Sequence, residues 1–265
     1  MRRQRALGQN DRRRRWGLLL LLPGLLGFDD SRAREALDLA LHHVYGTNLL
    51  AAIELTVQEN ERSQSQLFFA FGRKHKGDEV RTLMYSGDGR RKSPRALLLQ
   101  RPGQRDRIFV SDGGQSQVRP VSAGKHAWRL FGTDFSYEDF RVHTADDYRI
   151  EVLGEERQQG EPCVVLRLRP LSGSYRMRLV WLSTQRPVIL RSDYFDERGL
   201  FKRYRVDPKD VVQQFQWWVP MRDEMLDLRT GRRTIRRIRN LLIDIEVPDE
   251  LFTLTQLARG RMPSF

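Results

Sequence analysis

The sequence predicts a mainly β protein with few helices, in which one antiparallel sheet curls round a core. Apolar and polar residues alternate through most segments after residue 46, as expected of strands that bury one face. Turn signals rich in glycine, proline and aspartate separate these segments at short intervals. The pattern does not alternate strands with helices, which argues against a parallel α/β fold. We therefore expect a single domain over residues 29–265.

The composition is that of a folded protein with a basic surplus. The chain has 265 residues, enough to bury a full core. Apolar residues make up 39% and charged residues 31%, and the formal net charge is +13. A basic body could meet phospholipid headgroups, acidic proteins or nucleic acid, and charge alone does not choose among them.

Residues 1–28 have the pattern of a signal peptide or an N-terminal anchor. Arginines precede an apolar run from Trp16 to Phe28, which is shorter than the ~20 residues that span a bilayer. An uncleaved anchor and a basic cytosolic tail are the alternatives, because no small-x-small cleavage site precedes Asp29. We expect residues 1–28 to direct export and to be absent from the mature protein.

The segment from Ser31 to Tyr45 is predicted to be an amphipathic helix. Ser31 is a suitable N-cap and Gly46 a suitable end. The apolar residues that recur at steps of three and four are Ala33, Ala36, Leu37, Ala40, Leu41 and Val44.

Strands are expected on both sides of a central aromatic loop. The alternating positions before that loop are Ile53, Leu55, Val57, Leu67, Phe69, Phe71, Val80, Thr82 and Met84. Further strands are expected near residues 96–99, 108–110, 115–118, 148–153, 164–168, 175–181, 188–195, 201–206, 217–225 and 234–245.

The central loop is the stretch from Trp128 to Phe140, in which five residues are aromatic. We expect an ordered loop that ends in a short helical turn, since Ser136 is followed by two acids that suit a helix N-terminus. Such a loop must pack on the sheet, close over a cavity or bind a partner. We expect it to be a mobile gate with Gly132 as its joint; the alternative is a buried plug.

Four segments of the sequence resemble one known family. Gly132–Phe140 (GTDFSYEDF) is similar to the Gly-Ser-Asp-Phe-Ser/Thr-Tyr-Glu-Asp-Leu signature of the outer membrane lipoprotein-sorting family, the LolA-like periplasmic proteins. Tyr194–Gly199 resembles its Tyr-Tyr-Asp-x-Arg-Gly turn, Trp218–Thr234 its Trp-x-Pro…Met…Gly…Thr run, and Val247–Thr253 its closing Ile-Pro-Asp-Glu-x-Phe-Thr. The matches keep their order from about residue 118 to 257.

The resemblance implies a fold, a location and a function. The family's fold is an open antiparallel β half-barrel with a helical lid around an apolar cavity. A member would be a periplasmic, non-enzymatic carrier, a chaperone that shields lipoprotein acyl chains or lipids in an apolar cavity during transport between membranes. Its partners would be inner- and outer-membrane proteins, including a membrane exporter, and we expect a monomer. The alternative is an accessory or scaffold protein of an exporter, with a filled core and a basic partner-binding rim.

The expected lipid-binding cavity would be lined from one side of the strands and from the aromatic loop. This expectation depends on strand register, because a slip of one residue reverses the face that a side chain occupies. The residues expected to line it are Phe69, Phe71, Met84, Trp128, Phe131, Phe135, Tyr137, Met177 and Trp181.

Catalytic, metal and cofactor sites are not indicated by the sequence. Its five histidines never occur at metal-ligand spacing, and Cys163 is its one cysteine, which we expect in the core. Ser122 and Lys125 match a Ser-x-x-Lys pattern, but Gly124 disfavours the helix that this pattern needs. We therefore expect a protein that is not an enzyme and has no cofactor.

The run Arg229–Arg239 contains six arginines and raises the question of nucleic-acid binding. It lacks an aromatic residue for base stacking and falls on a predicted strand. We expect it to form a basic outer face or rim that contacts anionic headgroups or an acidic partner, and we expect no nucleic-acid partner.

Overall fold

The computed structural model describes residues 30–42, 48–60, 62–74, 79–86, 93–101, 104–111, 117–122, 125 and 127–259. The predicted export segment 1–28 and the predicted helix end at Gly46 lie outside these residues. The side chains of Phe69 and Phe71 also lie outside the described part, although their backbone belongs to a strand.

Most of the described chain forms strands. Their bounds are β1 Leu49–Glu59, β2 Arg62–Lys74, β3 Val80–Ser86, β4 Arg95–Gln100, β5 Arg107–Ser111, β6 Arg119–Val121, β7 Tyr148–Gln158, β8 Glu161–Pro170, β9 Met177–Ser183, β10 Ile189–Asp196, β11 Gly199–Val206, β12 Val211–Gln214, β13 Trp217–Pro220, β14 Arg222–Asp227 and β15 Arg233–Ile243. Two α-helices flank them, α1 Asp30–His42 and α2 Leu254–Arg259.

Thirteen of these strands form one antiparallel sheet, in the order β6-β5-β4-β3-β2-β1-β15-β14-β11-β10-β9-β8-β7. Most neighbours are consecutive in sequence, as expected when short turns join antiparallel strands. The pairing of β1 with β15 joins the N-terminal strands to the C-terminal ones. Strands β6 and β7 end the sheet without pairing to each other, so it is open. The predicted mainly β fold, with one open antiparallel sheet and few helices, is confirmed.

Strands β12 and β13 form a separate hairpin. The sequence pattern predicted one strand over residues 217–225, but the chain leaves the hairpin at Pro220 and enters β14 at Arg222. Between them, the backbone N–H of Met221 donates to the carbonyl of Asp210, on the hairpin side, at 2.9 Å. Proline has no N–H to continue a ladder, which suits it to this exit from the hairpin.

Helix α1 begins at Asp30, so Ser31 lies within the helix rather than capping it. Its apolar stripe buries Ala33 and Leu37 completely. These residues pack on an apolar cluster of β7, β8 and β9 that includes Leu166, Val180 and Leu182.

The face of the sheet that carries α1 also carries the aromatic loop, and we call it the inner face. Across the sheet, Val180 of β9 is paired with Ser192 of β10, Ser192 with Tyr204 of β11, and Tyr204 with Met225 of β14. These four residues therefore lie on the same, inner face. Val180 packs under α1, whereas Met225 packs with the aromatic loop. The two coverings therefore lie side by side over one surface.

The opposite, outer face of the N-terminal strands is covered by the C-terminal end of the described chain. Leu251, Phe252 and Leu257 pack on Leu83 and Leu97. Because both faces of these strands are buried, the apolar residues on them do not by themselves tell which face is inner.

Candidate functional site

The aromatic loop is ordered and ends in a short helical turn, as predicted. A 3₁₀ turn covers Leu130–Gly132, with Phe131 at φ +49° and Gly132 at φ +77°. A second 3₁₀ turn covers Tyr137–Phe140. The Asp139 carboxylate accepts hydrogen bonds from the backbone N–H and the hydroxyl of Ser136, at 2.7 and 2.9 Å. This reciprocal capping fixes the turn.

A buried polar cluster fastens this turn to the sheet. The ammonium of Lys202, on β11, lies 2.7 Å from an Asp139 oxygen, and both side chains are buried. The Tyr175 hydroxyl donates to the other Asp139 oxygen at 2.9 Å and lies 2.6 Å from the Ser136 hydroxyl. Lys202 also lies over the rings of Tyr175 and Tyr194, at 4.6 and 4.7 Å. A charged residue is stable at such depth only when paired and hydrogen-bonded, as here.

The protonation states of this cluster follow from burial and pairing. Burial acts to raise the pKa of Asp139, but the Lys202 ammonium and the Ser136 hydrogen bonds outweigh it, so this pKa lies below its ordinary value. Burial lowers the pKa of Lys202, and Asp139 opposes that shift. Burial also raises the pKa of Tyr175 well above its ordinary value, so the phenol stays protonated. The pair is therefore ionic at neutral pH.

Two further anchors hold the ends of the loop. The backbone N–H of Asp134 donates to the Thr234 hydroxyl on β15 at 2.8 Å, and that hydroxyl donates back to the Asp134 carboxylate at 2.7 Å. After the turn, Arg141 pairs with Glu138 at 2.6 Å and with Asp106. The polar residues of the GTDFSYEDF signature thus dock the loop onto the sheet.

The aromatic residues of the loop fill the space between these anchors. Phe131 stacks on Phe68 of β2 with ring centroids 5.2 Å apart and an interplanar angle of 9°. Phe135 is buried against Phe140, 5.8 Å away, and the Arg236 guanidinium lies 5.3 Å from its ring. This dense docking favours a fixed covering; mobility of the loop stays a prediction.

A cavity of about 160 Å³ opens where the aromatic loop meets helix α1. Ala40 and Leu41 form the helix wall, and Phe135 belongs to the loop wall. The other residues that line it are Glu138, Asp139, Arg141, His143, Tyr175, Arg178, Val188, Ile189, Tyr194, Tyr204, Pro220, Met225 and Arg236. The lining is therefore mixed, with an apolar part and several charged groups, where the resemblance implied an apolar cavity.

Four of the residues expected to line the lipid site do come together. Met84, Phe131, Phe135 and Tyr137 belong to one apolar cluster on the inner face. Of these, Phe135 borders the cavity itself. Trp128 does not join them: it is 57% exposed, with the Lys125 ammonium 4.3 Å from its ring centroid.

Trp181 and Met177 do not share the inner face, so the register expected for this strand is wrong. On β9 the inner positions belong to Arg178, Val180 and Leu182, and Trp181 points the other way into a separate cluster with Cys163. The physical reason is that this part of the sheet is covered on both sides, so the apolar side of the alternation was the outer one. Phe69 and Phe71 pair in register with Tyr85 and Leu83; their side chains lie outside the described part.

Sequence reasoning missed Tyr175, Arg178 and Lys202, which form the polar floor of the site. Arg178 and Lys202 are charged residues next to apolar ones on their strands, a pattern typical of a side that faces solvent. A usable signal was the acid in the loop signature, because a buried Asp139 needs a cation on the facing strands.

The arginines of the run pair with acids of the same chain; their contact with anionic headgroups or an acidic partner stays a prediction. Each of its six arginines lies within salt-bridge distance of a carboxylate on a neighbouring strand or loop. Arg237 and Arg239 share Glu54 of β1, for example, and Arg236 pairs with the buried Asp223 of β14. Alternation along β15 sends some arginines to each face, where acids of β1 and β14 meet them.

Outside this cavity, the described residues include the single thiol of the chain. Cys163 is fully buried, as expected, and burial raises the pKa of its thiol to about 11. Within the described ranges no three His, Cys, Asp or Glu side chains are grouped as a metal site would require. Among these same residues no helix is long and apolar enough to cross a membrane.

The sequence was compared with known families and proteins. The sequence profile of a family described only as an uncharacterized protein matches residues 78–259, more than half of the chain. The chain belongs to this family. The match takes in the aromatic loop and the strands that anchor it. No curated protein matches the sequence.

Solved structures place the family member among LolA-like folds. A structure described as an outer membrane lipoprotein-sorting protein domain, from Vibrio parahaemolyticus, has a TM-score of 0.75 at 20% identity and covers 86% of this chain and 96% of its own. A DUF1329 family protein from Desulfovibrio piger has a TM-score of 0.77 at 20% identity, covering 86% and 99%. A LolA superfamily protein from Nitrosomonas europaea has a TM-score of 0.64 at 16% identity, covering 83% and 97%. At these identities the likeness concerns the fold.

Proposed function

We propose that this protein is a periplasmic, non-enzymatic carrier that holds acyl chains of lipoproteins or lipids against its inner face during transfer between membranes. Each CH₂ group left in water costs about 0.8 kcal/mol, so a soluble carrier must offer an apolar wall in exchange. Residues 1–28 would direct its export, and membrane proteins would deliver and receive the cargo. Support comes from the LolA-like fold and the lipoprotein-sorting relative of similar structure.

The observation that carries this proposal is the cavity at the seam between α1 and the aromatic loop. Leu41, Phe135 and Met225 supply apolar surface there, from the helix, the loop and the sheet respectively. Methionine and aromatic side chains give contact area without demanding a fixed polar partner. A chain bound at this seam would be shielded on three sides.

Cargo requires more room than the cavity has in this structure. A volume of about 160 Å³ is below the roughly 300–1,000 Å³ of sites for drug-sized ligands. One covering must therefore shift when a long acyl chain enters. Helix α1 is the better candidate, because it contacts the sheet mainly through apolar side chains.

A scaffold role is the second candidate, and a specific observation favours it. The inner face of the N-terminal strands is already filled, with Phe131 of the loop stacked on Phe68. A protein that bound partners through its surface would need no larger cavity. We rank it second because the seam beside α1 stays open.

The test is lipid binding by protein purified from its native cell envelope. Native mass spectrometry is expected to detect acyl-chain adducts, and the delipidated protein is expected to bind a dansyl-labelled fatty acid. Leu41→Glu places a charge on the helix wall and is expected to weaken this binding at least about tenfold, since a buried unpaired charge is costly. Leu39→Glu, on the exposed side of the same helix, is the matched control. An adduct-free protein that binds no fatty acid would favour the scaffold role.

A further inference from the structure

Arg178 stands out among the charged residues of the inner face. It lies on β9, is only 7% exposed and lines the cavity. Its Nε donates to the Ser192 hydroxyl and one Nη to the Tyr148 hydroxyl, both at 3.1 Å. The guanidinium also lies 4.8 Å from the ring centroid of Tyr194. Every one of these contacts is to a neutral group.

Lys202, which is buried, and Arg236 and Arg141, which are partly buried, all have carboxylate partners. Lys202 pairs with Asp139 at 2.7 Å, Arg236 with Asp223 at 2.5 Å, and Arg141 with Glu138 at 2.6 Å. Within the described part of the chain, no carboxylate lies at salt-bridge distance from Arg178, and no acceptor takes a hydrogen bond from its second Nη. A buried cation of this kind lacks the anion that normally compensates its burial.

The surroundings of Arg178 specify what such an anion would be attached to. Ile189 and Leu41 border the same cavity and continue the apolar wall toward helix α1. Glu138 and Asp139 also border it, but each is already held by its own cation. A molecule with an anionic end and an apolar tail would match this arrangement of one unpaired guanidinium beside an apolar seam.

We propose that Arg178 binds the anionic headgroup, a carboxylate or a phosphate monoester, of an amphiphile whose chain runs along helix α1. A guanidinium presents paired N–H groups that fit either oxyanion, and such charge-assisted hydrogen bonds are stronger than neutral ones. This inference rests on the proposed carrier function and names the class of its cargo. Arg178 would thus select acidic amphiphiles over neutral ones of equal length.

The experiment compares four ligands of one chain length at neutral pH: palmitic acid, hexadecyl phosphate, hexadecanol and methyl palmitate. Each displaces a neutral fluorescent acyl probe from the delipidated full-length protein. We expect at least one acidic ligand to bind about tenfold or more tightly than both neutral ones, because only the acidic headgroups form charge-assisted hydrogen bonds with the guanidinium. The relative affinities of the acid and the phosphate tell which headgroup is preferred.

Variants assign the effect to Arg178. Arg178→Gln is expected to remove the preference for acidic ligands while binding of hexadecanol stays within about twofold, whereas Arg178→Lys should retain part of it. Arg176→Gln, at an exposed position two residues away, is the matched control and should behave as the unaltered protein. If Arg178→Gln fails to fold, the ligand series on the unaltered protein still shows whether acidic ligands bind more tightly than neutral ones, and Arg178→Lys shows whether this preference depends on residue 178.

The outcomes separate the two proposals. Equal binding of acidic and neutral ligands by the unaltered protein overturns the headgroup site and leaves the carrier function standing. A preference for acids that survives in Arg178→Gln also overturns it. Failure of all four ligands to bind refutes the carrier function, and the headgroup site with it.

Discussion

The inner face of the sheet has two coverings that are held in opposite ways. The aromatic loop is fastened by buried polar contacts, above all the ion pair of Asp139 with Lys202. Helix α1 is held by apolar contacts of Ala33 and Leu37, and by polar contacts of Arg34 and Asp38, whose side chains are about half exposed. Asp38 accepts a hydrogen bond from the backbone N–H of Ala145 at 2.8 Å. Arg34 pairs with Asp146 at 2.5 Å, but the two side chains are 47% and 87% exposed.

Because they are held differently, the two coverings differ in the free energy needed to lift them from the sheet. Lifting the aromatic loop would separate buried charges and leave hydrogen-bonding groups without partners, which is costly in a medium of low polarity. Lifting α1 would expose a modest apolar stripe and would break the exposed ion pair of Arg34 and the hydrogen bond of Asp38, which water replaces at little cost. We therefore expect the aromatic loop to stay in place and helix α1 to move as the lid.

The largest expected effect comes from breaking the loop's ion pair. Lys202→Met leaves Asp139 buried without a counter-ion and is expected to lower the free energy of unfolding by about 3–5 kcal/mol. Urea unfolding followed by far-UV circular dichroism measures this change. The double variant Asp139→Asn/Lys202→Met is the control, because removing both charges should restore much of the loss. A Lys202→Met protein as stable as the unaltered one would mean that the loop is not held by this pair.

The same pair predicts a pH dependence. The pKa of Asp139 in the folded protein lies below its ordinary value of 3.8, so the stabilisation from its charge is complete above that value. It is lost as the pH falls through the lower, folded-state pKa. The stability difference between the unaltered protein and Asp139→Asn should therefore be constant near neutral pH and shrink below about pH 3.8. A difference that is unchanged by acid would contradict an ionised Asp139.

The smallest expected effect concerns the exposed arginines of β15. Arg239 contacts Glu54 at 2.5 Å, but its side chain is 56% exposed. Arg239→Gln is expected to change the free energy of unfolding by less than about 1 kcal/mol, because water and salt screen such pairs. The same urea titration measures it. A loss as large as that of Lys202→Met would erase the distinction between buried and surface pairs drawn here.

The sequence predicted the sheet well because its signals are local. Alternation and turn residues depend on near neighbours, and the loop signature with Ser136 before two acids predicted the 3₁₀ turn that follows. Face assignment depends on what covers each face, which is not local. Trp181 lies on the outer face of β9, which is buried as well as the inner one. Arg178 and Lys202 lie on the inner face and are buried although they are charged. Six arginines in one run predicted a basic surface, but the carboxylates that pair with them lie on other segments, several of them far away in the sequence, such as Glu54 of β1.

Hydrogen exchange with and without palmitic acid tests whether helix α1, and not the aromatic loop, moves when lipid binds. We predict that amides of the aromatic loop, residues 130–140, are protected from the start and do not change, whereas those of α1, residues 34–42, exchange faster and slow markedly when the lipid binds. Leu37→Ala, which removes a buried contact of the helix alone, should speed exchange in α1 and leave the loop unchanged. Marked slowing across residues 130–140 with no change in α1 would contradict the account and make the loop the gate.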